Sequence, residues 1–242
     1  MSAAPRESQW LHRTAVLTAC AALLPITVGA LVTTMNWGMA FADWPTSDGH
    51  NMFFYPWLRD FRANPGKFTE HGHRLGGAFI GLCSVALVVV VYRRGRSPKD
   101  DPKSRSTEKR LALAIFLGVV LQGLLGGSRV LRDDPRMAMA HGAFASIVFT
   151  MMCLLALITS RRWRADLAAE PKSEGVVSEG ARNFLLAAPF VVLMQYLLGG
   201  SIRHLGLSLH EHLGGAILVA GCCGIAAIAA CRSPAPTVRR LG

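Results

Sequence analysis

Glu70-His71-Gly72-His73-Arg74-Leu75-Gly76-Gly77 opens an apolar run that continues to about Val91. An acid, two histidines and an arginine stand where a helix of that length would pass from hydrocarbon into water. Ionisable groups at that depth are costly, and by default they mark a functional site. Glu70 and His73 are three residues apart and share a helix face. A carboxylate therefore stands beside a nitrogen ligand.

Five further apolar blocks of similar length surround this one. The six run over roughly 14–35, 72–92, 111–130, 138–159, 183–202 and 210–231, each long enough to cross a bilayer as a helix. The chain of 242 residues is 51% hydrophobic and 17% charged, with a mean hydropathy of +0.33. The short alternating segments of a membrane β-barrel are absent. The expected fold is all-α: a polytopic membrane bundle of six transmembrane helices.

A net charge of +11 raises the question of nucleic acid, and the placement of the charge answers it. Arg93, Arg94, Arg96, Lys99, Lys103, Arg105, Lys109 and Arg110 fill the second gap between spans; Arg161, Arg162, Arg164, Lys172 and Arg182 fill the fourth. Arg6 and Arg13 precede the first span, and Arg232, Arg239 and Arg240 follow the last. Every second gap is basic, the pattern of cytoplasmic loops, so both termini are expected in the cytoplasm and no nucleic-acid partner is inferred. The first apolar run is too long for a cleavable signal and is read as a retained span. No Arg/Ser-rich transit segment precedes it, which favours a bacterial plasma membrane. The six cysteines lie in or beside apolar blocks, and no loop disulfide is available.

The spans form three hairpins closed on the outer side. The first outer loop, 36–70, is long and rich in Trp, Phe, Pro, Gly and Asp; the others, roughly 131–137 and 203–209, are tight. Phe53, Phe54, Tyr55, Trp57 and Phe61 are expected at the outer interface, as an aromatic belt or a lid. An internal repeat relates the second and third hairpins. Leu121-Gln122-Gly123-Leu124-Leu125-Gly126-Gly127-Ser128 recurs as Met194-Gln195-Tyr196-Leu197-Leu198-Gly199-Gly200-Ser201, and each copy leads through a short turn to a histidine, His141 or His212. The glycine pairs allow close helix approach or a flat macrocycle against the backbone, and close approach is the simpler reading.

His73, His141 and His212 thus open three inward-returning helices at one depth. A lone membrane histidine is usually a hydrogen-bonded helix linker. Three at one level, two inside a repeat, point to ligation of heme iron, because histidines on facing bundle helices leave room for a porphyrin plane. The Cys or carboxylate spacing of a zinc site is missing. His71 and His210 precede their neighbours by two residues, face about 200° away, and are expected at the interface. His12, His50 and His204 receive no site role. Arg74 and Arg129 lie near the outer mouth, where arginine pairs with heme propionates or snorkels to headgroups.

The order of these motifs resembles the heme A synthase family of membrane enzymes in cytochrome oxidase assembly. Asn36-Trp37-Gly38-Met39-Ala40-Phe41-Ala42-Asp43-Trp44-Pro45-Thr46-Ser47-Asp48-Gly49 is similar to its first-loop signature. Glu70-x-x-His73-Arg74 is similar to its acid-plus-ligand motif, and Gln122 to Gly127 followed by His141 to its third and fourth spans. The resemblance covers about residues 14–160. It implies oxidation of the C8 methyl of heme O to the formyl group of heme A. It also implies His73 and His141 as axial ligands, and Glu70 as the catalytic acid near the reacting methyl. Electrons would come from an external donor, since no flavin or nicotinamide motif is present. A heme O synthase or cytochrome oxidase assembly factors are the implied partners besides lipid.

The chain departs from the family pattern in having six spans instead of eight, and Ser47 stands near the place of a loop cysteine. The expected organisation is a four-helix heme-binding bundle over 1–160 and a cytoplasmic linker with an additional hairpin over 161–242. His212 is a third candidate iron ligand, completed if a homo-oligomer pairs it with its copy. Two other classes stay open: a non-enzymatic b-type electron carrier or heme-handling assembly factor, and a transporter. The retained Glu70 argues against the carrier, and the lack of a charged midplane residue against the transporter.

Overall fold

A computed structural model describes residues 6–95, 102–168 and 179–231. The helices are α1 (Arg6–Thr34), α2 (Asp60–Ala63), α3 (Pro65–Arg93), α4 (Pro102–Arg132), α5 (Pro135–Ile158), α6 (Arg161–Ala168), α7 (Glu179–Leu205) and α8 (Leu209–Cys231). Six of them are long and apolar enough to span a membrane, at Gln9–Thr34, Pro65–Arg93, Pro102–Arg132, Pro135–Ile158, Leu186–Leu205 and Leu209–Ile228. Among the described residues there is no strand, only a bridge between Ser47 and His50. The protein is an all-α polytopic membrane protein, as its hydropathy requires.

The helices outrun the apolar blocks that announce them. α3 starts at Pro65 because Asn64 caps it, its side chain accepting from the Lys67 N–H at 3.1 Å. Proline at the first helical position loses no intrahelical bond. Asp134 and Pro135 start α5 in the same way, with the Asp134 carboxylate accepting from Arg136 N at 2.8 Å. Glu70 and His71 therefore lie in the second turn of α3.

The chain divides into two compact units, residues 1–159 and 160–242. In the first, α1 packs against α3 and α5, and α4 against the same two. The four helices form a closed ring in which α3 and α5 are diagonal. The contiguous core is built from Leu11, Ala15, Ala22, Ile80, Leu87, Ile115, Val148 and Leu155, among others. It occupies the end where α1 begins, here the basic end. His12 joins α1 to α5 there, its Nδ1 3.1 Å from Ala156 O. The Arg94 guanidinium lies 3.5 Å from the Glu108 carboxylate, both side chains nearly buried. Toward the opposite, loop end the core stops at Ile80 and Val148, each seven residues below His73 or His141, about 10 Å along a helix.

In the second unit α7 and α8 pack as an antiparallel hairpin. The turn places Gly206 and Ser208 at positive φ, +67° and +68°. None of the described side chains of this unit is buried.

Candidate functional site

Just above the core, His73 on α3 and His141 on α5 face each other across the diagonal of the ring. Their ring centroids are 6.1 Å apart and their planes nearly perpendicular, at 85°. Each ring is held from behind by the neighbouring helix in the same way. His73 Nδ1 lies 2.9 Å from the Pro25 carbonyl on α1; His141 Nδ1 lies 3.1 Å from the Gln122 carbonyl on α4. A carbonyl only accepts, so Nδ1 carries the proton in both rings and the lone pair is left on Nε2. Four residues beyond each carbonyl stands a glycine. A Cβ at Gly29 would come within 2.7 Å of His73 Cε1, and one at Gly126 within 2.9 Å of His141 Cε1. The carbonyl at one position and the glycine one turn later together seat an imidazole against a helix backbone.

Such a pair suits one class of ligand. A metal on the line between two imidazoles needs ring centroids about 6 Å apart, given metal–nitrogen bonds of about 2 Å. Among the described residues no group of three His, Cys, Asp or Glu converges on a metal position. Two protein ligands do not complete a structural zinc site. They do complete a metal that brings four in-plane ligands of its own, which is the coordination of a bis-histidine heme.

The loop 35–64 closes the end of the bundle over this layer. Its turn is held by Asp43, whose carboxylate accepts from Asp48 N at 3.0 Å and Gly49 N at 2.8 Å. Burial alone would raise the Asp43 pKa, but bonds from Thr46, Gly49 and Asp48 outweigh it and hold the carboxyl below its ordinary value. Trp44 lies against Gly127, where a Cβ would overlap its ring. The close approach expected at Gly126 and Gly127 is thus realised by side-chain rings, His141 and Trp44.

Glu70 and Arg74 bind the loop to α3. One Glu70 oxygen accepts from Arg74 at 2.7 Å, with both side chains under 10% exposed. The other accepts from Ala40 N at 2.8 Å and Phe41 N at 3.4 Å. Arg74 also donates to the carbonyls of Asp43 at 2.9 Å and Thr46 at 2.7 Å. Arg129 differs. Its guanidinium presses on Gly38, where a Cβ would overlap it. Among the described residues no carboxylate pairs with it.

His71, expected at the interface, is instead fully buried, with Nδ1 3.1 Å from Ser47 Oγ. Phe41, Tyr55 and Trp57 pack around its ring. The reason is the early start of α3, which puts His71 beneath the loop. The aromatic segment divides accordingly: Phe53, Phe54 and Phe61 are exposed, while Tyr55 and Trp57 cover His71.

His212 is placed in the second unit, seated like His141 by a glutamine and a glycine. Gln195 donates to His212 O at 2.9 Å, as Gln122 does to His141 O. A Cβ at Gly199 would lie 3.1 Å from His212 Cε1. Here Nδ1 lies 3.0 Å from the Gln195 side-chain nitrogen. Among the described residues the only pair of histidine rings in contact is His73 with His141; His212 has no such counterpart on its hairpin. Pro25, Gly29, Gln122 and Ser47 were not among the sequence candidates. The spacing Pro25/Gly29, Gln122/Gly126 and Gln195/Gly199, always four, was the available signal.

Comparison with known proteins adds the following. The family model for cytochrome oxidase assembly protein matches residues 13–218. The chain is 34% identical to a heme A synthase of Symbiobacterium thermophilum over 189 residues, 77% of this chain and 57% of that protein. It is 30% identical to a heme A synthase of Mesorhizobium japonicum over 181 residues, 72% of this chain and 45% of that protein. A heme A synthase of Chelativorans sp. is 32% identical over 158 residues, 62% and 39% of the two chains. The chain thus spans about half the length of these relatives. No solved structure is a significant match.

Proposed function

We propose that this chain, which belongs to the cytochrome oxidase assembly protein family, is a heme A synthase-like oxidoreductase that converts the C8 methyl of heme O to the formyl group of heme A. The observation that carries the reading is the opposed pair His73 and His141, 6.1 Å between ring centroids and each backed by a carbonyl. Their Nε2 lone pairs clamp the substrate iron from both sides, the Gln122 amide 3.5 Å from His141 Nε2 giving way to it, and the glycine seats fix both rings before substrate arrives. That rigidity orients the macrocycle edge toward the loop.

Arg129 is the propionate partner, a guanidinium at the loop-end mouth beside the histidine pair. Arg74 adds its charge there while holding the loop. Glu70, one turn before His73, is assigned to the reacting edge. It stabilises developing positive charge or accepts protons as the methyl is oxidised. Trp44 and the loop exclude water above the layer. Taking the methyl to a formyl group removes four electrons and inserts one oxygen atom, so the oxidant, of the dioxygen class, and the electrons and protons that reduce its second oxygen to water come from outside the chain. This reading takes the membrane to be a bacterial plasma membrane, with the termini and basic segments cytoplasmic and the histidines near the outer face, on the strength of the basic alternate loops. A heme O synthase is the natural supplier of substrate.

One observation favours a second reading, a heme carrier or assembly factor without chemistry. Both Glu70 oxygens already have structural work, so the acid's presence does not by itself require catalysis. Mass identification of the heme extracted after co-expression with a heme O synthase, with reductant supplied, separates the two. Heme A or its hydroxylated precursor supports the enzyme; unaltered heme O or heme b supports the carrier; absence of heme refutes both.

A further inference from the structure

The site in the first unit consists of two hairpins of like design. In each, a buttress helix offers a backbone carbonyl and a glycine four residues on, and a ligand helix returns with a histidine: α1 with α3, α4 with α5. The second unit contains one related hairpin, α7 with α8, in which the glycine recurs and the Gln195 side-chain amide stands at the histidine Nδ1 in place of a carbonyl; its likeness to α4–α5 extends beyond the histidine. His141, Ala145 and Val148 recur as His212, Ala216 and Val219. The side-chain oxygens of Gln122 and Gln195 are both buried with no hydrogen-bond partner among the described residues. Gln122 and Gln195 each place Nε2 3.5 Å from Nε2 of their histidine.

What differs is the covering. Val148 is 4% exposed beneath a facing hairpin. On α8 the equivalent positions are less covered: Val219 is half-buried where Val148 is buried, Ala216 is exposed where Ala145 is half-buried, and no described side chain of the unit is buried. A hairpin that carries half of a two-histidine site and leaves that face open is self-complementary under a twofold axis, which sets each residue opposite its own copy. The first unit shows that two such hairpins pack as a four-helix ring with the histidines on the diagonal.

We infer that two copies of this chain pair through α7 and α8 to form a second four-helix bundle, in which His212 and the partner copy's His212 hold one shared heme. This rests on the reading of His73 and His141 as a heme site. Ligation through Nε2 requires the proton on Nδ1, so the ring of His212 turns from the Gln195 amide toward the Gln195 backbone carbonyl when the shared site fills.

The test is native mass measurement of the purified full chain in lipid nanodiscs, with heme content measured on the same sample. The inference expects a dimer with about 1.5 hemes per chain, falling to about 1.0 in His212→Ala. An Ala216→Cys variant in a cysteine-free background is expected to crosslink between copies with a flexible bis-maleimide long enough to span the diagonal of the ring, which is too wide for a direct disulfide. A monomer at full heme content overturns the inference, as does a heme content unchanged by His212→Ala or a failure of Ala216→Cys to crosslink. The underlying reading is checked separately. His73→Ala and His141→Ala must each remove about one heme per chain; if they do so while His212→Ala changes nothing, only the shared site falls.

Discussion

At the residue scale the site depends on two absent side chains. Gly29 and Gly126 are small because an imidazole lies where their Cβ would be, at 2.7 and 2.9 Å. Gly29→Ala or Gly126→Ala must push a ring away from its carbonyl and release the tautomer. Loss of such an orienting partner lowers metal affinity about 10- to 100-fold, and overpacking costs about 1–3 kcal/mol. The expected result is a heme spectrum shifted from low-spin bis-histidine toward high-spin, with the helices intact by circular dichroism. Gly123→Ala is the control: nothing lies within 4 Å of its Cβ position, so it should leave the spectrum unchanged and stabilise α4 by up to about 1 kcal/mol. Glu70→Gln strands the nearly buried Arg74 charge, a change that typically costs about 3–5 kcal/mol. Faster proteolysis within 36–64 is expected. If extracted heme is still converted to heme A in that variant, Glu70 acts through the loop and not on the reaction.

At the scale of elements, the outer loop is a folded cover pinned at both ends. Glu70 and Arg74 hold it to α3, Trp44 holds it to α4, and Asp43 closes its turn. The Asp43 carboxylate is held below the usual carboxylate range in the folded loop by the bonds it accepts. A group with a depressed folded pKa stabilises fully above its unfolded value, near 3.9, and its contribution fades as pH falls through the folded value. Exchange at the Asp48 and Gly49 amides, corrected for intrinsic rate, should therefore be flat between pH 5 and 8 and rise only below about 4. Asp43→Asn should produce the same opening at neutral pH.

The sequence made this cover partly legible. Its length, aromatics and acid–arginine motif could be read directly. The burial of His71 could not, because hydropathy places the start of α3 at the apolar run, whereas Asn64 and Pro65 begin it about two turns earlier. Nor was it legible that Gly126 and Gly127 receive rings from other elements, since that relation exists only once helices are packed. The six spans were legible because lipid allows a backbone of that length few alternatives to a helix. A glycine against the histidine ring recurs in all three hairpins, whereas the carbonyl four residues before it holds the ring only at His73 and His141.

At the scale of the whole molecule, histidine depth and charge placement are one argument. The histidines lie at the loop end of the first unit, and the basic segments lie at the other end of the same spans. Residues 93–110 carry eight Lys or Arg within reach of two span ends. Such a segment resists translocation, whereas the acids of the loop contribute little to orientation. The bundle should therefore sit with Ser106 in the cytoplasm and Asn51, with the histidine layer beneath it, on the far side. Both residues are exposed, so single cysteines there, in a cysteine-free background, report the side directly. A membrane-impermeant maleimide added to intact cells should label Asn51→Cys and leave Ser106→Cys untouched until the membrane is permeabilised. The reverse pattern would put the heme site at the cytoplasmic face, and would require substrate delivery and electron supply from that side. Neutralising Arg93, Lys103, Lys109 and Arg110 together, and leaving Arg94 paired with Glu108, should weaken the asymmetry and yield chains of mixed orientation. If all four can be removed without mixing, orientation is set by another part of the chain.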